Sequence, residues 1–358
     1  MNSHVFYGLS DEVALVIAGL HGSELSAIEV AHWLRVRLEG GAVIPFYTTI
    51  LIPEVYPKQA EIARRWRIKN KFTNEDDEDN NGRFVSVDKK SVDPNRQFPK
   101  PGEPLSSLKD KTAGGMPLLP ETRELLRIIE MAKPTRLASL HAYKFPTRQK
   151  ATKGSDAPGI FVDPRYDWDD EALAVFPDKP KLGKFNANAM KFDESIDPNF
   201  PEKRGKKSFP SAKSDDGKED DELALRIAKD IFAVRPDLIP GNHVDESPPV
   251  VHYAASNAPA NPGFSLGDWA PVKIDKQGDP GSRDWGIPDV TVEVFQQYES
   301  WAFINGEQFY DDSGKPIPSK TRPIVPGTKT PYPFNPGRAS ALRVYADAIL
   351  REFLGATL

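Results

Sequence analysis

The stretch "LVIAGLHGSELSAIEVAHWLRVRL", Leu15 to Leu38, decides how the rest of the chain is read. Val13 to Gly19 is a short, β-branched apolar run ended by glycine, the pattern of a buried strand. Ala27, Ile28, Ala31, Trp33, Leu34 and Leu38 then recur at roughly helical spacing. His21 and Glu24 lie between the two, and the pair has two readings. Either His21 is a polar turn residue and Glu24 an acid at the positive end of a helix, or both are ligands of one metal ion.

Working outward, strand-like runs recur at Val13–Ala18, Ala42–Leu51, Leu137–Leu140 and Val290–Phe295. Helix-like runs fall at Ser26–Leu38, Thr122–Met131, Asp221–Phe232 and Arg338–Phe353. The alternation predicts an α/β fold with helices on both faces of the sheet. We read residues 1–358 as one large mixed-sheet domain, with no repeat or low-complexity linker to divide it. Residues 145–250 are rich in Pro, Lys and Asp and read as a loop-rich insertion that in part walls a cleft. In such sheets, sites gather at the C-terminal ends of strands. His21 and His141 each follow a strand-like run, so two residues far apart in sequence can converge.

Composition narrows the partners. The 358 residues are 39% hydrophobic and 28% charged, enough for a sizeable core. A net charge of -5 argues against nucleic acid, whose phosphates need a basic face. Cysteine is absent, so no disulfide and no thiolate nucleophile or ligand is available. No apolar run is long enough for a transmembrane helix. The start "MNSHVFYGLSDE" does not read as a signal peptide, so location depends on whether a signal has been removed.

Of six histidines, His32 lies inside the first helix and reads as structural. His141 closes "RLASLH". A short-spaced His/Glu pair plus one distant histidine is the ligand set of a catalytic zinc, which leaves a fourth position open. "SVDPNRQFP" sets Asn95 beside Arg96, suited to gripping a carboxylate or to an exposed turn. "HYAASNAPANPGFSLGDWAP" carries Tyr253 ahead of Ser265, Asp268 and Trp269. "WGIPDVTVEVF" puts Glu293 inside an apolar strand, where a carboxylate is costly unless paired, solvated or needed for proton transfer.

Taken in order, "HGSE", "DPNRQF", "SLHAY", "HYAAS…GFSLGDWA" and "GIPDVTVEV" resemble the zinc metallocarboxypeptidases of the carboxypeptidase A type. The resemblance runs from about Val13 to Phe295, and "PETREL", Pro120 to Leu125, is similar to the helix start that precedes the third-ligand strand. It implies that His21, Glu24 and His141 bind one zinc ion. It implies that Asn95 and Arg96 hold the substrate's terminal carboxylate and that Tyr253 closes over it. It implies that Glu293 is the general base. A second arginine polarises the scissile carbonyl in this family. Arg83 is the candidate here, with Arg64, Arg65 and Arg67 as alternatives.

Three departures stand out. "IPEVYPKQAEIARRWRIKNKF" replaces the family's Asn-Pro-Asp-Gly-like turn. Gly267 stands before the Asp-Trp pair, where the specificity residue is expected. The chain starts only 20 residues before His21, which reads as a trimmed or shifted N-terminus. The expected reaction is hydrolysis of an amide next to a free carboxylate, on a peptide or a muramyl peptide. "DPNRQFP" is also similar to murein peptide amidases. Two alternatives remain: a deacylase of the aspartoacylase or succinylglutamate desuccinylase type, which shares H-G-x-E and D-x-N-R-x-F, and a catalytically silent binding domain.

"DEDNNGRFVSVD" carries a second metal pattern. Asp77, Asp79 and Asn81 alternate, Gly82 follows, and Asp88 closes a twelve-residue stretch, as in a calcium loop. A solvated acidic loop has the same composition.

Overall fold

The structure is a computed structural model. It describes residues 1–41, 43–69, 81–100, 102–112, 115–143, 159–162, 184–186, 191–193, 215–235, 238, 250–252, 263–271, 274, 277–279, 281–282, 286–295, 301–304, 306–311, 315–318, 320, 324, 329, 331–332 and 336–357.

In chain order the strands and helices are β1 (His4–Phe6), β2 (Ser10–Ala18), α1 (Leu25–Glu39), β3 (Tyr47–Ile52) and α2 (Pro57–Lys69). The short hairpin β4 (Val85–Val87) and β5 (Lys90–Val92) follows, then α3 (Pro120–Ala132) and β6 (Arg136–Tyr143). Next come β7 (Gly159–Val162), β8 (Lys184–Asn186), β9 (Lys191–Asp193), α4 (Asp215–Val234) and β10 (Val250–His252). The single turn α5 (Leu266–Trp269), β11 (Asp289–Phe295), the hairpin β12 (Phe303–Ile304) and β13 (Glu307–Gln308), and α6 (Pro336–Ala348) complete the chain.

Among the described residues, seven strands form one mixed sheet in the order β1-β3-β2-β6-β11-β7-β10. The central run β3, β2, β6 and β11 is parallel. β1 is antiparallel to β3, and β7 is antiparallel to β11. Alternate residues of β2 divide between two cores, as strand geometry requires. Ala14, Val16 and Ala18 pack with α1, α4 and α6. Leu15 and Ile17 pack with α3 residues Leu125, Leu126 and Ile129. The α/β architecture with both faces covered is therefore as the sequence predicts.

α1 is buried around most of its circumference, because the sheet, α6 and the β12–β13 hairpin all lie against it. α3 begins with Pro120 in the first turn, where the missing N–H costs nothing, and ends at Lys133 in a left-handed conformation.

Element boundaries shift at several places, α4 for instance starting at Asp215 and not at Asp221. β3 starts at Tyr47, not at Ala42. The preceding Phe46 N–H donates to Leu354 O instead of to a sheet neighbour. The last expected helix ends at Ala348 and passes into a wider π turn over Ile349–Phe353. The stretch 145–250 is more than a loop-rich insertion, since β7 and the first residue of β10 extend the main sheet from it.

Two glycines fix how α2 meets the loops. A Cβ at Gly22 would lie 2.4 Å from the Gln59 carbonyl carbon. A Cβ at Gly82, which has φ +82, would lie 2.2 Å from Gln59 O. The loop bearing His21 and Glu24 and the loop bearing Arg83 are therefore both pressed onto the start of α2.

Candidate metal centre

His21 follows the C-terminal end of β2, and Glu24 is the residue that caps α1. The Glu24 side chain makes no capping hydrogen bond to its helix. It turns instead into the centre. His21 Nδ1 lies 2.8 Å from Glu24 Oε1, and His141 Nδ1 lies 2.7 Å from Glu24 Oε2. The Ala142 N–H also donates to Oε2, at 3.2 Å. All three side chains are buried. One ligand atom from each falls within 4.8 Å of the other two. Two imidazole nitrogens and a carboxylate converging in this way are the donor set of a single zinc ion. Among the described residues no other group of three such side chains converges.

Asp93 completes the support of His21. Its Oδ1 lies 3.0 Å from His21 Nε2, on the side of the ring away from Glu24. A carboxylate there fixes the tautomer, with the proton on Nε2 and the Nδ1 lone pair free for a metal. Asp93 also accepts the Asn95 N–H at 2.8 Å and so starts the turn Pro94–Arg96. The sequence contained the signal, since Asp93 stands in "DPNR", but it carried no assigned role.

Electrostatics bind the group together. Burial pushes the Glu24 carboxyl up, but His141 and His21 outweigh it and hold it well below the usual carboxylate range. Burial and Arg83 pull His21 down, while Glu24 and Asp93 together carry it above the ordinary histidine value. Burial also opposes ionisation of Asp93. His21, Arg96 and Arg83 reverse that and keep it a carboxylate.

Glu293 is placed by the sheet. It is the registered partner of His141 across the parallel β6–β11 pair, so both side chains leave the same face. Of the four arginines considered for the carbonyl, Arg83 reaches the centre, with NH1 3.3 Å from Glu24 Oε1. Arg64 pairs with Glu54 and Arg65 with Glu61, while buried Arg67 lies over the Trp66 ring. Asn95 Oδ1 accepts the Leu266 N–H at 3.2 Å, which leaves its amide nitrogen to donate elsewhere. Arg96 NH1 donates to Asn95 O at 2.7 Å. Gly263 packs against Arg96, where a Cβ would fall 2.0 Å from Arg96 O. The Asn95–Arg96 turn and the segment leading into α5 are thus one packed unit.

Tyr253, Asp77 and Asp79 lie outside the described residues. Asn81 is buried, and its Oδ1 accepts the Arg83 N–H at 3.0 Å. Asp88 is exposed in the turn of the β4–β5 hairpin, with φ 49.

Two solved structures are distantly similar. One is a protein of the succinylglutamate desuccinylase / aspartoacylase family from Shewanella amazonensis SB2B, 16% identical, with a TM-score of 0.29 over 49% of this chain and 47% of that one. The other is succinylglutamate desuccinylase/aspartoacylase from Rhodobacter sphaeroides, 15% identical, with a TM-score of 0.26 over 51% of this chain and 44% of that one. The matched region thus spans less than half the length of either protein. No family model and no curated protein matches the sequence.

Proposed function

We propose that the chain is a zinc-dependent hydrolase of an amide whose substrate carries a free carboxylate, and that a small N-acyl amino acid is that substrate. The observation that carries the reading is the pair of Nδ1 atoms, from His21 and His141, set on the two oxygens of Glu24 with Asp93 behind His21. A zinc ion held there would polarise the scissile carbonyl and make water a nucleophile near neutral pH.

The chain's own residues supply the rest. Glu293, beside His141, takes a proton from the attacking water and delivers it to the leaving nitrogen. Arg83 stands next to the ligand carboxylate and neutralises charge growing on the carbonyl oxygen. Asn95 and Arg96 grip the substrate carboxylate. Burial of the three ligands excludes bulk water from one side of the reacting centre.

The packing supports a deacylase over a peptidase. Residues of H-G-x-E and D-x-N-R-x-F reach the centre. Those of the downstream motifs that resemble the peptidase branch mostly build core: Leu266, Trp269 and Ile287 lie under one face of the sheet, and Val290, Val292 and Val294 under the other. Glu293 belongs to one of those downstream motifs, and its register with His141 favours the second reading, a carboxypeptidase or murein-peptide amidase.

The test is zinc analysis of the purified chain, followed by a panel of N-acetyl and N-succinyl amino acids, free peptides and muramyl peptides. Release of acyl groups from the first class supports the deacylase. Release of C-terminal residues alone supports the peptidase. A chain that binds less than about a tenth of an equivalent of zinc is not this enzyme.

A further inference from the structure

The chemistry above draws on residues from both ends of one small element that it does not itself use. β4 and β5 pair antiparallel, Val85 with Val92, Ser86 with Ser91 and Val87 with Lys90. The two chains therefore leave the hairpin side by side. Arg83 stands two residues before Val85 and places NH1 3.3 Å from Glu24 Oε1. Asp93 directly follows Val92 and places Oδ1 3.0 Å from His21 Nε2. One foot of the hairpin thus reaches each ligand that the His21–Glu24 loop supplies.

The body of the hairpin is seated. Val92 is buried, and Val85 and Val87 pack against the core that holds Leu15 and Ile17. Each foot also has its own local bonds. Asn81 Oδ1 accepts the Arg83 N–H, and Asp93 Oδ1 accepts the Asn95 N–H. Gly82 is pressed on Gln59, and Gly263 on Arg96. Every one of these contacts stays on a single foot. Apart from the metal loop, the ladder between β4 and β5 is what joins the two.

That ladder closes in a two-residue turn, Asp88 at φ 49 and Lys89 at φ 65, both exposed. Positive φ at both turn positions matches the twist of the flanking strands, and Asn-Gly is the pair that adopts it most readily. Asp88 and Lys89 adopt it without the freedom of glycine. Such backbone persists where the surrounding structure over-determines it. Here that structure is two strands, seated on the core and pinned at the feet to the metal loop.

We propose that the β4–β5 hairpin is a positioning element of the centre: its ladder holds Arg83 on Glu24 and Asp93 on His21 in one register. The Asp88–Lys89 turn, roughly 10 Å from the feet, thereby governs how both ligands are presented. Arg83, which meets charge growing on the carbonyl oxygen, and the ring of His21 are oriented by one body. The role rests on the zinc reading only where the metal itself is measured.

Lys89→Pro tests this from outside the centre. Proline fixes φ at about −65°, which this turn cannot accept, and so opens the ladder. Lys89→Gly permits the native φ and serves as the rescue. Competition with a chelating dye reads zinc affinity. Lys89→Pro should weaken it roughly tenfold, the lower end of what an outer partner contributes, and Lys89→Gly should match the parent. In a chain that already carries Asp93→Ala, Lys89→Pro should cost clearly less than it does alone, because one route to the ligands is gone. An unchanged affinity in Lys89→Pro, or full additivity with Asp93→Ala, overturns the inference.

Hydrogen exchange read by mass spectrometry, with chelator and without zinc, decides the matter even for a chain that binds no zinc and so fails the zinc reading. The Glu24 N–H donates to His21 O at 3.1 Å and reports on the loop. Protection of residues 20–25 should fall several-fold in Lys89→Pro, while β2 and β6 stay protected, and should be kept in Lys89→Gly. Equal protection in the parent and both variants overturns the role of the hairpin. If Lys89→Pro does not fold, Val85→Ala, which loosens the same ladder from within, takes its place in both measurements.

Discussion

His21 Nε2 lies 3.0 Å from Asp93 Oδ1, so the ring whose Nδ1 faces Glu24 is gripped from behind by a carboxylate 72 residues further along the chain. Removing that grip frees the ring to rotate and to change tautomer. Asp93→Ala should therefore weaken zinc binding about 10- to 100-fold, as loss of such outer partners does. Competition with a chelating dye measures it. An unchanged affinity would show that His21 is held by something else.

Glu293→Gln keeps the shape of the side chain and removes its ability to carry a proton. The variant should hold zinc as the parent does and lose about 100- to 10,000-fold in turnover. Zinc content and kcat are read on the same preparation. Near-normal turnover would remove Glu293 from the role of base.

Arg96→Ala should raise KM for substrates with a free carboxylate by roughly 10- to 100-fold, the range for a charge-assisted hydrogen bond. Substrates whose carboxylate is masked as an amide should be indifferent to the change. Equal effects on both would mean that Arg96 acts by packing alone.

Gly22→Ala tests the seating of the metal loop on α2. Its Cβ would stand 2.4 Å from the backbone of Gln59, which cannot yield as a flexible side chain would. A loss of about 1–3 kcal/mol in unfolding free energy is expected, with weakened zinc binding. Thermal unfolding with and without zinc checks both.

Glu54, held by the hydrogen bond from His32 and by the Arg64 guanidinium, sets an acid limit. Glu54 is held near 2 against 4.5 when unperturbed, so it favours the folded state above about pH 4.5, and that contribution is lost as pH falls toward 2. The full shift corresponds to on the order of 3 kcal/mol. Glu54→Gln should flatten the stability profile in that window, measured by denaturant unfolding at stepped pH.

The converging trio of His21, Glu24 and His141 was legible in the sequence because the fold brings the C-terminal ends of β2, β6 and β11 together. A histidine or glutamate at the end of an apolar run is already near the site once the sheet order is known. Asp93 was visible but carried no meaning alone, because its role is a distance to His21 and no local pattern encodes that. The short strands β1, β7 and β10 have three or four residues each, too few to show a period of two. Val43 looked like strand because it is apolar, yet it is buried against the helical core, and Phe46 gives its N–H to Leu354. His32 was read as structural inside α1. Its Nε2 meets Glu54 of the loop after β3 and its ring stacks on Phe303 of the β12–β13 hairpin, partners that emerge only in three dimensions.

The pairing of Glu293 with His141 across β6 and β11 has a consequence for how such a protein can diverge. The distance between His141 and Glu293 is written in the ladder of the sheet, the part of the fold least open to insertion. Changes in the surrounding loops can therefore alter what reaches the centre without altering the spacing of these two side chains.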